Sequence, residues 1–141
     1  MSVRMVLKST HSPKIHAGNT PYDFRVQLPR PLSLPGYWSV SLTEFTLKLS
    51  KSIPADKGPA LYVCSDLCDD TVVGERELPL LRRAYTRKST NITYKNPYEV
   101  PLRVGHFGDV HVNIRDDDNE PASFLTGEVT VTLVFKRHPF H

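Results

Sequence analysis

Apolar and polar residues alternate with a period of two along several stretches of this chain, and no other feature constrains its fold as strongly. The clearest stretches are residues 22–28, 38–42, 110–115 and 129–135. Successive side chains of a β-strand point to opposite faces of a sheet, so each stretch predicts a strand with one buried face. Four weaker strand candidates lie between these stretches, at residues 3–8, 60–64, 80–86 and 92–103.

The segments between the predicted strands are rich in turn residues. The 12 prolines fall mostly within them, as expected for residues that cannot donate to a sheet ladder. Residues 75–85 have apolar side chains at helical spacing, but Pro79 allows at most a short helical turn there. Eight short strands without a helical layer predict an all-β fold. We therefore expect a single eight-stranded jelly roll of two four-stranded antiparallel sheets, with residues 1–141 as one domain.

One predicted strand changes phase. Its apolar set ends at Leu42 and resumes at Phe45, one residue out of step. A β-bulge near Thr43 and Glu44 explains the slip, and the alternative is a central strand that is buried on both faces. If Glu44 points inward, it needs a partner because an unpaired buried charge is costly. We expect Arg82 or Arg115 to be that partner.

Length and charge limit the classes of function. A chain of 141 residues is one ordinary domain, no apolar run reaches the roughly 20 residues that span a bilayer, and the N-terminus is too short and polar for a signal peptide. We expect a soluble protein made in the cytosol. The net charge of +3 divides into +5 for residues 1–58 and −2 for residues 59–141. That balance is too weak to predict a specific nucleic-acid partner.

Two motifs invite a metal or redox interpretation, and structural explanations are favoured for both. Cys64 and Cys68 form a single pair, whereas a structural zinc site needs four ligands and a redox dithiol prefers Cys-x-x-Cys beside a βαβ unit. The acidic run at residues 116–120 lacks the spacing and the glycine of a calcium loop, and it lies between two strong strands as a turn does. No motif of a known catalytic site is present. We predict no catalytic residue, cofactor or metal, and a protein that is not an enzyme.

Three ordered sets of residues carry a resemblance to a known family. The first set begins with an Asn-Thr pair, continues with a strand that ends in Leu-Pro, and closes with a run built on Trp-x-Val-x-Leu-x-Glu that follows a leucine. The residues of this chain that match it are Asn19-Thr20, Leu28-Pro29, Leu34, Trp38, Val40, Leu42 and Glu44. The second comprises Asp66, Val73-Gly74 and Leu80-Leu81-Arg82. The third comprises Ile114-Arg115-Asp116-Asp117, Phe124, Gly127 and a closing strand with Val131, Thr132, Leu133 and Phe135. In this order they resemble the minor capsid (penton) protein of Polinton/Maverick elements and adintoviruses.

The resemblance implies a structural viral protein with a single jelly roll. It would form homopentamers at the vertices of an icosahedral capsid, among trimers of a double-jelly-roll major capsid protein, after synthesis in the host cytoplasm. It implies no membrane-spanning segment and no catalytic site. Its structural signature on this chain is Asn19, Trp38, Glu44, Asp66, Gly74, Arg82, Arg115, Asp116 and Gly127.

An alternative function is a ligand-binding β-sandwich module for carbohydrate or peptide. Such a module exposes an aromatic platform or a pocket, and the candidates for a surface patch are Tyr37, Tyr94, Tyr98 and Phe107.

Alternate connections of a jelly roll meet at one end. We therefore expect the acidic turn at 116–120 to lie near the basic segment at 51–57 and to contact it within or between subunits. The connections expected at this end are residues 9–21, 50–59, 87–96 and 116–126.

Overall fold

The computed structural model describes residues 2–12, 15–48, 60–85 and 90–139 of the chain. The described residues form strands and turns and no helix, which confirms the all-β prediction. The strands are β1 (Ser2–Lys8), β2 (Asp23–Ser33), β3 (Tyr37–Lys48), β4 (Ala60–Ser65), β5 (Thr71–Val73), β6 (Arg76–Leu78), β7 (Leu80–Tyr85), β8 (Thr90–Thr93), β9 (Val100–Pro101), β10 (His106–Arg115) and β11 (Thr126–His138).

Eight of these strands build two antiparallel sheets. Sheet A has the order β1-β11-β3-β8, with the short β9 also paired to β3, and sheet B has the order β2-β10-β4-β7. In each pairing of this set an early strand meets a late one: β1 with β11, β2 with β10, β3 with β8, and β4 with β7. The chain is thus a long hairpin folded over into two layers. This is the predicted jelly roll.

The core lies between the two sheets, and most of the inward residues that the alternation predicted belong to it. Fully burying one large apolar side chain stabilises the fold by roughly 1.5–3 kcal/mol relative to leaving it exposed, so this layer supplies the main driving force. Its members from the four clearest strands are Phe24, Val26, Leu28, Trp38, Val40, Leu42, Val110, Val112, Ile114, Val129, Val131, Leu133 and Phe135.

The phase change in β3 is a β-bulge at Thr43, as predicted. Glu44 lies opposite Thr132 of β11, and Leu42 lies opposite Leu133, the residue that directly follows Thr132. Thr43 is therefore one extra residue in β3. The bulge returns Phe45 to the core, where it is fully buried.

Strand β4 is buried on both faces, which its short apolar run alone did not reveal. Leu61 and Val63 face the core between the sheets. The other face carries a second apolar cluster of Ala60, Tyr62, Cys64 and Leu78. Leu78 comes from the hairpin of β5 and β6, which therefore covers the outer face of β4.

The β5–β6 hairpin occupies a segment for which we expected only a turn. Val73 lies opposite Arg76, so the loop holds two residues. Gly74 is the first of them and has a φ of 63°, as glycine does at that position of a type II′ turn. The short helical turn considered within residues 75–85 is wrong, because strands β6 and β7 fill this range.

The strand register places two of the four expected connections at one end of the sandwich. Lys8, where β1 ends, is opposite Thr130 near the start of β11, and Asn113 near the end of β10 is opposite Asp23 at the start of β2. The connections at 9–21 and 116–126 therefore lie at the same end. The segment 50–59 and residues 87–89 lie outside the described residues, as does the basic segment 51–57.

Candidate functional surfaces

Both cysteines are buried and free. Cys64 lies under the β5–β6 hairpin, and Cys68 belongs to the main core. Burial raises the pKa of the Cys64 thiol to about 11 and that of Cys68 to about 12, from an ordinary value of 9.0. A thiol that stays protonated is a poor nucleophile and a poor metal ligand. Nor do the described residues bring three or more His, Cys, Asp or Glu side chains together as a metal site.

Glu44 does not pair with either of the arginines that we expected. Its side chain is 42% exposed and lies 3.4 Å from the guanidinium of Arg4 on β1. Arg82 and Arg115 have other partners, described below. The expectation was wrong because the bulge at Thr43 leaves Glu44 on the outer side of sheet A, where its side chain reaches across β11 to Arg4 on the edge strand β1.

Asp66 ties the end of β4 to its neighbours in sheet B. Its Oδ1 accepts the backbone N–H of His111 at 3.1 Å, and its Oδ2 lies 3.9 Å from the guanidinium of Arg25. Arg25 also lies 3.4 Å from Asp109, and His111 contacts the carboxylate of Asp23. These five residues form an outer polar network. Because its ion pairs are partly exposed, each contributes little to stability, at most about 1 kcal/mol.

Asp116 organises the acidic turn from inside the protein. It is only 2% exposed, and its Oδ1 accepts the backbone N–H groups of Asp118 at 2.9 Å and Glu120 at 3.0 Å. Arg115 donates to the Oδ1 of Asn119 at 3.0 Å and so closes the same turn. The turn interpretation is confirmed. An Asp116 carboxylate used in this way is a structural group and not part of an exposed charged surface.

The outer edge of β2 is blocked by a side chain whose amide group makes the hydrogen bonds that a neighbouring strand would make. Asn19 accepts the backbone N–H of Arg25 at 2.9 Å through Oδ1 and donates to the Arg25 carbonyl at 2.8 Å through Nδ2. Further along the edge, Ser12 Oγ accepts the N–H of Gln27 at 3.0 Å. Pro29 and Pro31 then remove two N–H donors. Such blocking prevents another chain from pairing with the edge.

Within the described ranges, side chains and turns block the edge of β1 only at its end. His11 accepts the N–H of Lys8 at 3.3 Å and donates to its carbonyl at 3.0 Å, so the Lys8 backbone points away from β11. Backbone groups alternate in direction along an antiparallel strand. Those of Arg4 and Val6 therefore point the same way, and no residue of the described ranges bonds to them there.

An apolar groove lies between the edges of β1 and β2. It has a volume of about 790 Å³ and opens to solvent along the seam between the two sheets. Apolar side chains dominate its lining, including partly buried Val3 and Met5 of β1. Arg4, Arg30 and His11 also line it, and no carboxylate does among the described residues.

The remaining signature residues hold the fold in place. Trp38 is buried and its Nε1 donates to the Pro35 carbonyl at 2.8 Å. Gly127, with a φ of 73°, lies in a second bulge, between the pairs Thr126–Lys48 and Thr130–Thr46. Arg82 covers the seam between β7 and β8. The structure thus brings Arg115 and Asp116 together in one turn, whereas the other signature residues are dispersed, and none lines the groove.

Sequence reasoning missed the groove and the exposed tip of the β5–β6 hairpin. A signal for the groove exists in Pro29-Arg30-Pro31, since two prolines in a predicted strand indicate an edge. A signal for the exposed hairpin exists at Val72, an apolar residue in the short segment between Asp70 and Glu75 and outside every predicted strand. Val72 is 70% exposed.

Comparison with known proteins supports the fold. No protein-family model matches this sequence, and no curated protein matches it significantly. Among solved structures, the crystal structure of the selenomethionine-labelled mavirus penton protein is similar, with a TM-score of 0.57. The similarity covers 96% of this chain and 99% of that one at 7% sequence identity. The two chains share a fold over nearly their whole lengths. The described residues contain no helix that could cross a membrane.

Proposed function

We propose that this chain is a penton subunit, a structural protein that forms homopentamers at the vertices of an icosahedral capsid. The observation that carries the proposal is the shared jelly roll, which spans essentially the whole of this chain and of the mavirus penton protein. The ordered motifs that resemble pentons of Polinton/Maverick elements and adintoviruses point independently in the same direction.

The chemistry of the described residues supports a role in assembly. Both thiols are buried and protonated, and the ion pairs lie on half-exposed outer faces. The surface carries features suited to protein–protein contact. These are sheet edges, an apolar groove and exposed apolar side chains such as Val72, Tyr85 and Tyr98. A subunit of a closed ring needs two different and complementary surfaces.

The proposal extends to the location and partners of the protein. We place it in the virion, at the capsid vertex, in contact with a double-jelly-roll major capsid protein and without a specific nucleic-acid partner or a membrane-spanning segment. We further propose that residues 1–141 act as one domain, made in the host cytoplasm.

A ligand-binding β-sandwich module remains the competing function. Of its four candidate platform residues, Phe107 is buried in the core and Tyr94 lies under the guanidinium of Arg82. Tyr37 and Tyr98 are exposed. The structure therefore leaves this alternative two of the four aromatic residues on which it depended.

Solution mass and electron microscopy test the proposal. Five copies of a 16.0 kDa chain have a mass of about 80 kDa, which multi-angle light scattering separates from a monomer. We expect that mass, and five-fold rings in negatively stained images. A chain that remains monomeric alone and in the presence of its major capsid protein, and that is absent from purified particles, would contradict the proposed function.

A further inference from the structure

The β5–β6 hairpin presents an edge that pairs with no other strand in the described part of the chain, as well as an exposed apolar side chain. In a hairpin with a two-residue loop, the residues that flank the loop exchange hydrogen bonds, and the next pair does not. Val73 and Arg76 are the flanking pair, so the backbone N–H and carbonyl of Val72 point away from β6. The side chain of Val72 is 70% exposed, because it points away from the cluster that Val73 and Leu78 join.

Glu77 lies directly beside Val72 on the same face of the hairpin. The two residues are opposite each other in the register of β5 and β6, and cross-strand partners project on one side of a sheet. Glu77 makes no ion pair with any residue in the described ranges. The hairpin therefore offers one apolar and one acidic side chain to a partner.

The groove offers the matching features. Its lining is apolar, with two arginines and no carboxylate among the described residues. Arg4 already pairs with Glu44, whereas Arg30 is exposed and makes no ion pair within the described part of the chain. The neighbouring edge of β1 presents the carbonyl of Arg4 and the N–H of Val6, with Met5 between them and its side chain towards the groove.

We infer that the groove between β1 and β2 receives the β5–β6 hairpin of a second copy of this chain. Strand β5 runs parallel to β1, with Val72 beside Met5. In this alignment the Val72 N–H donates to the Arg4 carbonyl, the Val6 N–H donates to the Val72 carbonyl, and the Val72 side chain lies on the groove floor. Glu77 lies on β6, the next strand outward from β5, and its side chain projects from the same face as that of Val72. In this arrangement it faces Arg30 on β2.

The positions of the two surfaces suit a closed ring. The groove lies at the lateral edge of the sandwich, whereas the hairpin lies on the outer face of β4 in sheet B. Contacts between two different surfaces are heterologous, and they close into a ring when each contact turns the next copy by a fixed angle. Because the groove and the hairpin do not lie on opposite sides of the subunit, each contact rotates the next copy relative to the one before it. That the ring has five members rests on the proposed function.

Disulfide trapping tests the alignment. In Met5→Cys/Val72→Cys, neighbouring strands place the two thiols of different copies within bonding distance, so mild oxidation should produce a ladder of covalent species that ends at the pentamer. Equal mixtures of the two single variants should stop at the dimer, because each copy then supplies only one of the two thiols. The native Cys64 and Cys68 are buried, and the wild-type chain serves as the control.

Charge reversal tests the contact between Glu77 and Arg30. We expect Glu77→Arg and Arg30→Glu each to weaken association at least 10-fold in light scattering at low salt, and the double variant to recover most of that loss. Val72→Asp should abolish association. Val104→Asp is the matched control at an exposed position outside the contact, and circular dichroism confirms that each variant is folded.

The outcomes separate this inference from the proposed function. Pentamers that form without the Met5–Val72 cross-link and tolerate the charge reversals would overturn the inference and leave the penton role standing. A wild-type chain that stays monomeric at millimolar concentration and is also absent from particles would overturn both. The full ladder together with recovery in the double charge variant is the expected result.

Discussion

The guanidinium carbon of Arg82 lies 3.8 Å from the centre of the Tyr94 ring, and this contact joins the two sheets on the side away from the groove. Arg82 is opposite Val63, so its aliphatic stem leaves from the core face of β7. The charged head then reaches the segment after β8, where it also donates to the Asn96 carbonyl at 3.2 Å. An arginine can cover apolar surface in this way while its charge stays in contact with water.

Removing Arg82 should therefore destabilise the fold. We expect Arg82→Ala to lower the free energy of unfolding by about 1 kcal/mol, from the lost cation–π contact and the uncovered seam. The neighbouring Arg83 is the control, because its guanidinium lies over Tyr85 and Tyr62 on the outer face of sheet B and does not join the two sheets, and Arg83→Ala should cost less than Arg82→Ala. Urea unfolding followed by Trp38 fluorescence measures both, and equal losses would contradict the role of Arg82.

Deleting Thr43 should be tolerated. The bulge holds one residue more than β11 does, and without it the inward set from Leu42 to Phe45 alternates regularly in the same register. Deleting Ser41 instead moves Trp38 and Val40 to the opposite face. We expect a cooperative unfolding transition for the Thr43 deletion and a loss of soluble folded protein for the Ser41 deletion. A Thr43 deletion that fails to fold would show that the extra twist of the bulge is indispensable.

Within the acidic turn, loss of the Asp116 carboxylate should cost more stability than loss of the Asp118 carboxylate. Asp116→Ala leaves the backbone N–H groups of Asp118 and Glu120 without their acceptor, a loss of about 1–3 kcal/mol. Asp116→Asn retains an acceptor oxygen and should cost less. Asp118 is exposed, and its replacement by Ala should change the unfolding midpoint little. If the two Ala variants unfold alike, the turn does not depend on Asp116.

The buried thiols should reduce stability at alkaline pH. Unfolded thiols release their protons near pH 9.0, whereas the folded protein holds them until about pH 11 for Cys64 and about 12 for Cys68. The unfolded chain therefore binds fewer protons in this interval, and the free energy of unfolding falls as the pH rises above 9. Burial raises the pKa of Tyr62 and Tyr94 as well and acts in the same direction.

Melting temperatures of the wild type and of Cys64→Ala/Cys68→Ala between pH 8 and 11 measure this effect, and the double variant should lose less stability. Parallel profiles would exclude the thiols as the cause. Because both positions are fully buried, we expect Cys64→Ser and Cys68→Ser to be destabilising, since a hydroxyl in an apolar site lacks a partner.

The alternation of side chains was enough to predict the four clearest strands, most of their inward residues and the bulge at Thr43. Those features depend on which face of a strand is apolar, and that information is local. The weaker candidate at residues 92–103 was wrong as one strand, because only β8 (Thr90–Thr93) and the short β9 (Val100–Pro101) form there. The burial of both faces of β4 is not local, since Tyr62 and Cys64 are covered only because the β5–β6 hairpin packs over them. A three-residue strand is too short for its periodicity to be read.

The partners of charged residues were harder to predict for the same reason. Glu44 meets Arg4 because β11 and the bulge bring those two positions to one side of sheet A. A pairing of this kind follows from the register of three strands, and a shift by one residue would send the carboxylate elsewhere. The groove likewise exists only once β1 and β2, which belong to different sheets, are placed side by side.

Strand β11 lies between β1 and β3 in sheet A, although it follows every other strand of the chain. During translation, β1 and β3 are thus made long before the strand that joins them. Sheet A remains incomplete until residue 138 has left the ribosome. Such dependence on distant pairing slows folding, so nascent chains and truncated products would expose the unpaired sides of β1 and β3. We expect this protein to depend on chaperones during synthesis more than a helical protein of its size.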